Sequence, residues 1–366
     1  MKLSSRAAGP KSIHATAARA SCGEMSVMIV DVHCHFLSPV AIDEAARSGE
    51  RYGVRVDEVK GAVRLQLGEA PPLRPLLPAL HDLAAYSAFA RAQALTGALV
   101  GPLMDIAGYH LPAAQGRAWS RLVNEGLAES LRALPGTFAG LATVPLQDPL
   151  AAAGELRHAV LDLGFRGAMI DTHVQGRALA DRALDPFWRA AMELGVPVIL
   201  HPFALEEVER FGSYYLHNLV GYPFETTLAA AGLVFGGTLD RMPELALVLV
   251  HGGGFLPYQL GRLDRGHRAR PEARAGGAGL PSGYARRFYY DTITHSPRSL
   301  CFLCEVVGAD RLLLGSDFPF GMGDPEPVAS VRQAGLGEPA ERAALGENAT
   351  SLFGLAAASP RARSST

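Results

Sequence analysis

The sequence predicts an α/β protein: a (β/α)8 TIM barrel with a small insertion after its first strand. Three observations lead there. Eight short β-rich runs punctuate the 366 residues, helical patterns separate most of them, and no G-x-G-x-x-G or Walker-type loop follows the first run. Eight β–α units favour a barrel, and the missing phosphate loop weakens a doubly wound nucleotide-binding sheet. The runs are VMIVDVH, TGALVGPL, FAGLATVPL, RGAMIDTH, GVPVILHP, LALVLVHGG, FYYDTIT and RLLLGSDFP. Most are continuously apolar rather than alternating, as parallel strands covered on both faces should be.

In chain order, residues 1–27 are rich in Ala, Ser, Arg and Lys, with Glu24 their single acid. They read as a disordered leader; a transit peptide, or a start at Met25 or Met28, is the alternative. The domain is placed at 28–356 and a disordered tail at 357–366. About 60 residues separate the first run from the second, too many for a simple loop and helix. Within them IDEAARSGERYG reads as helix, VDEVKGAVRLQLGE as short strands, and LRPLLPALHDLAAYSAFARAQALTG as the first barrel helix. An insertion at about 37–80 would overhang the C-terminal strand ends, where a TIM barrel keeps its chemistry. Further on, DPLAAAGELRHAVLDLG, DPFWRAAMELG and SPRSLCFLCEVVG begin at Asp-Pro or Ser-Pro and end at Gly, which are helix start and stop signals.

Composition removes several function classes. Apolar residues make up 48% and the formal net charge is −2, so a large core is feasible and nothing draws the chain to nucleic acid or anionic membrane. No apolar stretch reaches the ~18–20 residues needed to span a bilayer. Four scattered cysteines, Cys22, Cys34, Cys301 and Cys304, make no disulfide framework and suit a reducing, cytoplasmic setting. Cys301 and Cys304 fall on one face of an apolar helical pattern and read as core. The only lysines are Lys2, Lys11 and Lys60, which excludes Schiff-base chemistry on the later strands. It also excludes a carboxylated lysine bridging two metals. Asp171 is the only carboxylate near the end of the fourth run, and its parity turns it from the axis, so a single metal is expected. No G-x-S-x-G elbow supports a serine nucleophile, and Ser316 is read as making a local backbone hydrogen bond.

The strand ends carry the chemistry. His33 and His35 close the first run, His201 the fifth, His251 the sixth and Asp317 the eighth. Residues i and i+2 of a strand share a face, so His33 and His35 present two imidazoles side by side, with Cys34 turned away. Imidazole and carboxylate donors suit Zn²⁺ or another first-row divalent ion. His33, His35, His201 and Asp317 are the expected ligands. His251 is either a further ligand or, given the tight bend that Gly252-Gly253-Gly254 implies, a free general acid/base.

HCHF, LHPF, HGGGFLPYQLGR and LLGSDFPFGMG, each in its place after strands 1, 5, 6 and 8, resemble the amidohydrolase superfamily. More narrowly they resemble its decarboxylase branch, typified by α-amino-β-carboxymuconate-ε-semialdehyde decarboxylase, over about residues 28–355. The resemblance implies one zinc on His33, His35, His201 and Asp317, with His251 acting on the bound water and Asp317 sharing in catalysis. It implies substrate contacts from Phe320 and from two carboxylate-gripping arginines. These are Arg74, in LRPLLPALHD, and Arg262, in LGRLD, the latter reaching the active site of a neighbouring subunit in a homodimer. Departures fall on the pocket lining: His81-Asp82 stands for the family's W-D, Tyr86 for an arginine, and Tyr214, His217 and Asn218 for a tryptophan-bearing stretch. The expectation is therefore a zinc-dependent non-oxidative decarboxylase, a carbon–carbon lyase, of a small unsaturated or aromatic acid. A hydrolase or hydratase on the same metal is the alternative, and a degenerate barrel serving as scaffold a more distant one.

Overall fold

Each of the eight β-rich runs folds as a strand, and all lie parallel to their neighbours. They are β1 (Val30–His35), β2 (Gly97–Gly101), β3 (Thr137–Gly140), β4 (Ala168–Ile170), β5 (Val198–Leu200), β6 (Leu247–Leu249), β7 (Phe288–Asp291) and β8 (Leu312–Leu313). The computed structural model describes residues 28–134, 137–203, 208–274 and 276–355. The expected leader and tail, with Cys22, lie outside the described residues.

The strands form two sheets, one ordered β1-β2-β3 and the other β8-β7-β6-β5-β4. Isolated parallel bridges link their edges at both ends, Cys34 with Phe318 and Ala142 with Ala168. Two backbone hydrogen bonds cross the same seams, Val32 N–H to Leu314 O and Ala142 N–H to Gly167 O, both 2.9 Å. A single eight-stranded ladder is thus not what the structure shows. At one seam the reason is local. There β8 runs for only two residues, Leu312–Leu313, and β1 itself is irregular, its register against β2 shifting between Asp31 and Cys34. Irregularities of this kind re-aim side chains beside functional sites.

The strands are buried on both faces, as their apolar runs require: Val30, Val32, Leu99, Met169, Ile199 and Val248 are all at 0% exposure. Each such side chain contributes about 1.5–3 kcal/mol relative to an exposed one. Cys34 joins this core, and Cys301 and Cys304, on the helix Pro297–Val307, pack against it. Asp148 and Ser296 cap the helices Pro149–Leu161 and Pro297–Val307, each accepting a first-turn N–H.

Between β1 and β2 lie a helix, Pro39–Tyr52, and an antiparallel hairpin, Val54–Val59 with Ala62–Leu67. Lys60 (φ 53°) and Gly61 (φ 79°) make its two-residue turn, the left-handed pair that matches strand twist. This segment has its own apolar cluster, in which Ile42, Tyr52, Leu65 and Leu80 pack with Ile106 and Trp119. The following helix is shorter than the sequence pattern predicts, spanning Leu83–Ala92 only. Pro75 and Pro78 break the earlier pattern, and Asp82 starts the helix by accepting the Ala84 N–H at 2.8 Å. No helix of the described residues is long and apolar enough to cross a membrane.

Candidate metal centre

β1 delivers His33 and His35, both buried, and each is held by its Nδ1. His33 Nδ1–H donates to Asp291 Oδ2 at 2.8 Å, and His35 Nδ1–H to the Pro102 carbonyl at 2.8 Å. His201, directly after β5, donates from Nδ1 to the Pro202 carbonyl at 3.0 Å. Holding Nδ1 as the protonated nitrogen leaves each Nε2 lone pair free, the tautomer a metal ligand needs. All three Nε2 atoms turn toward Asp317 Oδ1, at 3.3 Å for His33, 3.0 Å for His35 and 3.9 Å for His201.

The ligating atoms of His33, His35, His201 and Asp317 lie within 4.8 Å of one another, and all four residues are buried. Nε2 of His33 and of His201 has no hydrogen-bond partner. A buried nitrogen left so is costly unless something occupies the centre. Two metal–ligand bonds of about 2.1 Å at a tetrahedral angle put donors about 3.4 Å apart, so the residues fit one divalent ion.

His251 stands beside this group. Its ring centroid is 5.4 Å from those of His33 and His201, and its Nε2 is 3.7 Å from Asp317 Oδ2. Its Nδ1 is buried without a partner, so nothing fixes its tautomer as Asp291, Pro102 and Pro202 fix the other three. The backbone explains its position. His251 (φ 54°) and the three glycines after it all have positive φ. A Cβ on Gly253 would sit 2.6 Å from the Tyr290 ring, and one on Gly254 2.2 Å from the Pro223 carbonyl. Only glycine makes this bend. Asp317 (φ 57°) is likewise left-handed, the strain expected where a fold over-determines a functional residue.

Electrostatics favour a cation here. Burial opposes a charge on His33, but the carboxylates of Asp317 and Asp291 outweigh it and lift its pKa to about 10. Burial pushes His201 down to about 3, against the pull of the nearby Asp317 carboxylate. Asp317 and Asp291 are themselves buried, yet the imidazoles hold both below the ordinary carboxylate range. A divalent cation bound at His33 would require its Nε2 free of a proton, so its binding would compete with that protonation.

The centre is the floor of a cleft of about 1350 Å³. Arg74 and Phe320 line it, with Phe320 packed against His35 at 5.3 Å between rings. His217 and Asn218 also line it, whereas Tyr214 is 89% exposed and does not. Arg262 is exposed on the helix Leu256–Ala269 and is not among the lining residues. Tyr86 turns away from the cleft and donates to Asp31 at 3.1 Å. Asp171, at the end of β4, accepts the Thr172 and Phe203 N–H groups and is not in the metal-binding group. Ser316 does more than the local bond expected of it: its Oγ donates to Asp31 Oδ2 at 2.5 Å.

Asp291 is the residue that sequence reasoning passed over. Besides His33 it accepts the Gly252 N–H at 2.9 Å, so one carboxylate ties a ligand to the bend that carries His251. Its signal was a lone carboxylate inside the seventh run, which the structure places at the end of β7.

An amidohydrolase family model matches residues 30–355. The chain belongs to the amidohydrolase family. This amidohydrolase groups with the family's decarboxylases. It is 33% identical over 240 residues to 2-amino-3-carboxymuconate-6-semialdehyde decarboxylase of Dictyostelium discoideum, covering 64% of this chain and 66% of that one, just under two thirds. The Caenorhabditis elegans protein of the same name is 23% identical, with 81% and 86% covered. A gamma-resorcylate decarboxylase of a Rhizobium species is 33% identical, with 55% and 65% covered. The fold is that of 5-carboxyvanillate decarboxylase from Sphingomonas paucimobilis (TM-score 0.77, 23% identity, 90% of this chain and 100% of that one). It is also that of a dihydroxybenzoic acid decarboxylase from Polaromonas, solved with manganese and 2-nitroresorcinol (TM-score 0.74, 21% identity, 89% and 97% covered).

Proposed function

We propose that this amidohydrolase is a metal-dependent, non-oxidative decarboxylase of a small aromatic or unsaturated carboxylic acid. The observation that carries the reading is the convergence of His33, His35, His201 and Asp317 beside His251, on the floor of a cleft that Arg74 lines. The family's decarboxylases support the reaction class. Zinc is the ion we propose, on the strength of three imidazoles and one carboxylate. Manganese, present in the Polaromonas structure, is the other candidate.

A bound divalent ion would be held by those four residues and would supply a fixed positive charge that polarises the substrate. Arg74 can hold a carboxylate in one plane with its guanidinium. Phe320 covers His35 and narrows the floor. In the reaction the bond between carbon and carboxylate breaks, its electron pair stays on carbon, and CO₂ leaves. A proton then replaces the carboxylate, and His251, whose Nδ1 has no partner, is the group we assign to deliver it. Arg262 is proposed to enter the cleft of a second subunit, its exposure on the helix Leu256–Ala269 being the support, with a homodimer as the working unit. We also infer that the eight strands make up a (β/α)8 barrel, supported by the bridges at both seams, with the segment about 37–80 an insertion at its mouth. Three free thiols, Cys34, Cys301 and Cys304, support a reducing, cytoplasmic setting.

The test is CO₂ release from a panel of aromatic and unsaturated acids by protein of measured metal content. Turnover without CO₂ would replace the reading by the hydrolase or hydratase alternative. A folded protein that takes up neither zinc nor manganese would abolish both. Mixing inactive Arg262→Ala and His251→Ala proteins should restore part of the activity if subunits exchange Arg262; no restoration would put that residue out of the site.

A further inference from the structure

Asp105 stands in the cleft wall with no assigned role. It lies in the 3-10 turn Met104–Ile106 directly after β2, and its side chain lines the same cleft as His35, His201 and Arg74. The turn is pinned on both sides. Two residues before it, the Pro102 carbonyl accepts His35 Nδ1–H, and the Ile106 carbonyl accepts Trp119 Nε1–H at 2.8 Å. Leu103, Met104 and Ile106 are buried at 3%, 2% and 0% exposure. Asp105 is therefore held at a set place relative to the metal ligand His35.

Asp105 is half-buried, and its carboxyl opens on the cleft. Burial pushes its pKa above the ordinary value, against its own backbone N–H and the Arg74 guanidinium. Among the described residues no N–H or O–H of another residue donates to it within hydrogen-bond distance. Tyr222, whose hydroxyl is raised by burial and by the Asp105 charge, lines the same cleft, as do Arg74 and His217. A carboxyl has room for about four hydrogen bonds, and here the unused capacity faces the space a substrate would fill.

We propose that Asp105 is a specificity-determining residue that accepts a hydrogen bond from a hydroxyl or amino group of the substrate, selecting acids that carry such a donor over those that lack it. An acid without the donor would strip water from Asp105 and give nothing back, a mismatch that costs about tenfold to a hundredfold in affinity. This inference rests on reading the cleft as the acid-binding site, and it is separable from the decarboxylase reading because it predicts binding.

The experiment measures dissociation constants by calorimetry for benzoate and its monohydroxy and monoamino derivatives, using the full chain loaded with zinc. Wild type, Asp105→Leu and Asp105→Asn are compared, with metal content and melting temperature as controls. The preference of wild type for its best donor-bearing acid over benzoate should fall about tenfold or more in Asp105→Leu, because the variant relieves the penalty on benzoate and tightens its binding while the donor-bearing acid loses its partner. Asp105→Asn, whose amide oxygen still accepts, should fall in between, and it keeps the test open if the leucine variant misfolds. An unchanged preference in the folded variants, or a wild type that binds none of the acids, overturns the proposal. CO₂ is measured on the same acids: Asp105-dependent binding without CO₂ would discard the decarboxylase reading and leave this one standing.

Discussion

His33 Nδ1–H donates to Asp291 Oδ2 at 2.8 Å, with both side chains fully buried, and the same carboxylate accepts the N–H of Gly252 beside His251. One buried acid therefore orients a metal ligand and anchors the bend carrying the proposed proton carrier. Asp291→Ala should weaken metal binding by about tenfold to a hundredfold. Competition with a chromogenic chelator measures it, and an affinity equal to wild type would show that His33 needs no such support.

His251→Ala should keep one metal per chain and lose about 10²–10⁴ in turnover. Metal analysis and CO₂ release on one preparation separate the two effects. Loss of the metal would make His251 a ligand instead, and full turnover would remove it from the chemistry.

The pH dependence of stability follows from His33. Its folded pKa, about 10, lies above the ordinary 6.5. The folded state then holds a proton that the unfolded state releases, so this contribution is complete below pH 6.5 and is lost as pH rises toward 10. Metal requires His33 neutral, so its stabilising effect should grow over the same window. Melting temperatures from pH 6 to 9 should fall in chelator-treated protein, and the increment on adding zinc should widen. A zinc increment that does not change with pH would contradict the assignment of the proton to His33.

Asp31 tests the support behind β1. Buried completely, it is pushed up from 3.8 to about 6, even though Ser316, the His33 N–H and Tyr86 all donate to it. A carboxyl raised in this way contributes stability at low pH and loses it as pH rises through 6. The Ser316 and Tyr86 hydroxyls can turn to accept from an amide. Asp31→Asn should therefore raise the melting temperature at pH 7–8, by roughly 1–2 kcal/mol of stability, with the gain vanishing below about pH 4. A lower melting temperature at pH 7 would mean that the charged hydrogen bonds outweigh burial.

Much of this was legible because it is local. Apolar runs bounded by Gly and Asp-Pro marked all eight strands, since burial on both faces demands continuous side chains. A histidine or carboxylate closing such a run stands out against it, which is how His33, His35, His201, His251 and Asp317 were found. Asp291 closes β7 in the same way, yet nothing in FYYDTIT says that its partner is His33, 258 positions away.

By itself the sequence determined the strands, the residues able to bind metal and the glycines that permit the His251 bend, because periodicity, donor chemistry and backbone freedom belong to residues and their neighbours. Only the tertiary structure decided the rest. It tied each imidazole by its Nδ1, paired Asp31 with Ser316, turned Tyr86 away from the cleft and left the Asp105 carboxyl open within it. Those are facts of distance and direction between distant segments, and packing alone sets them.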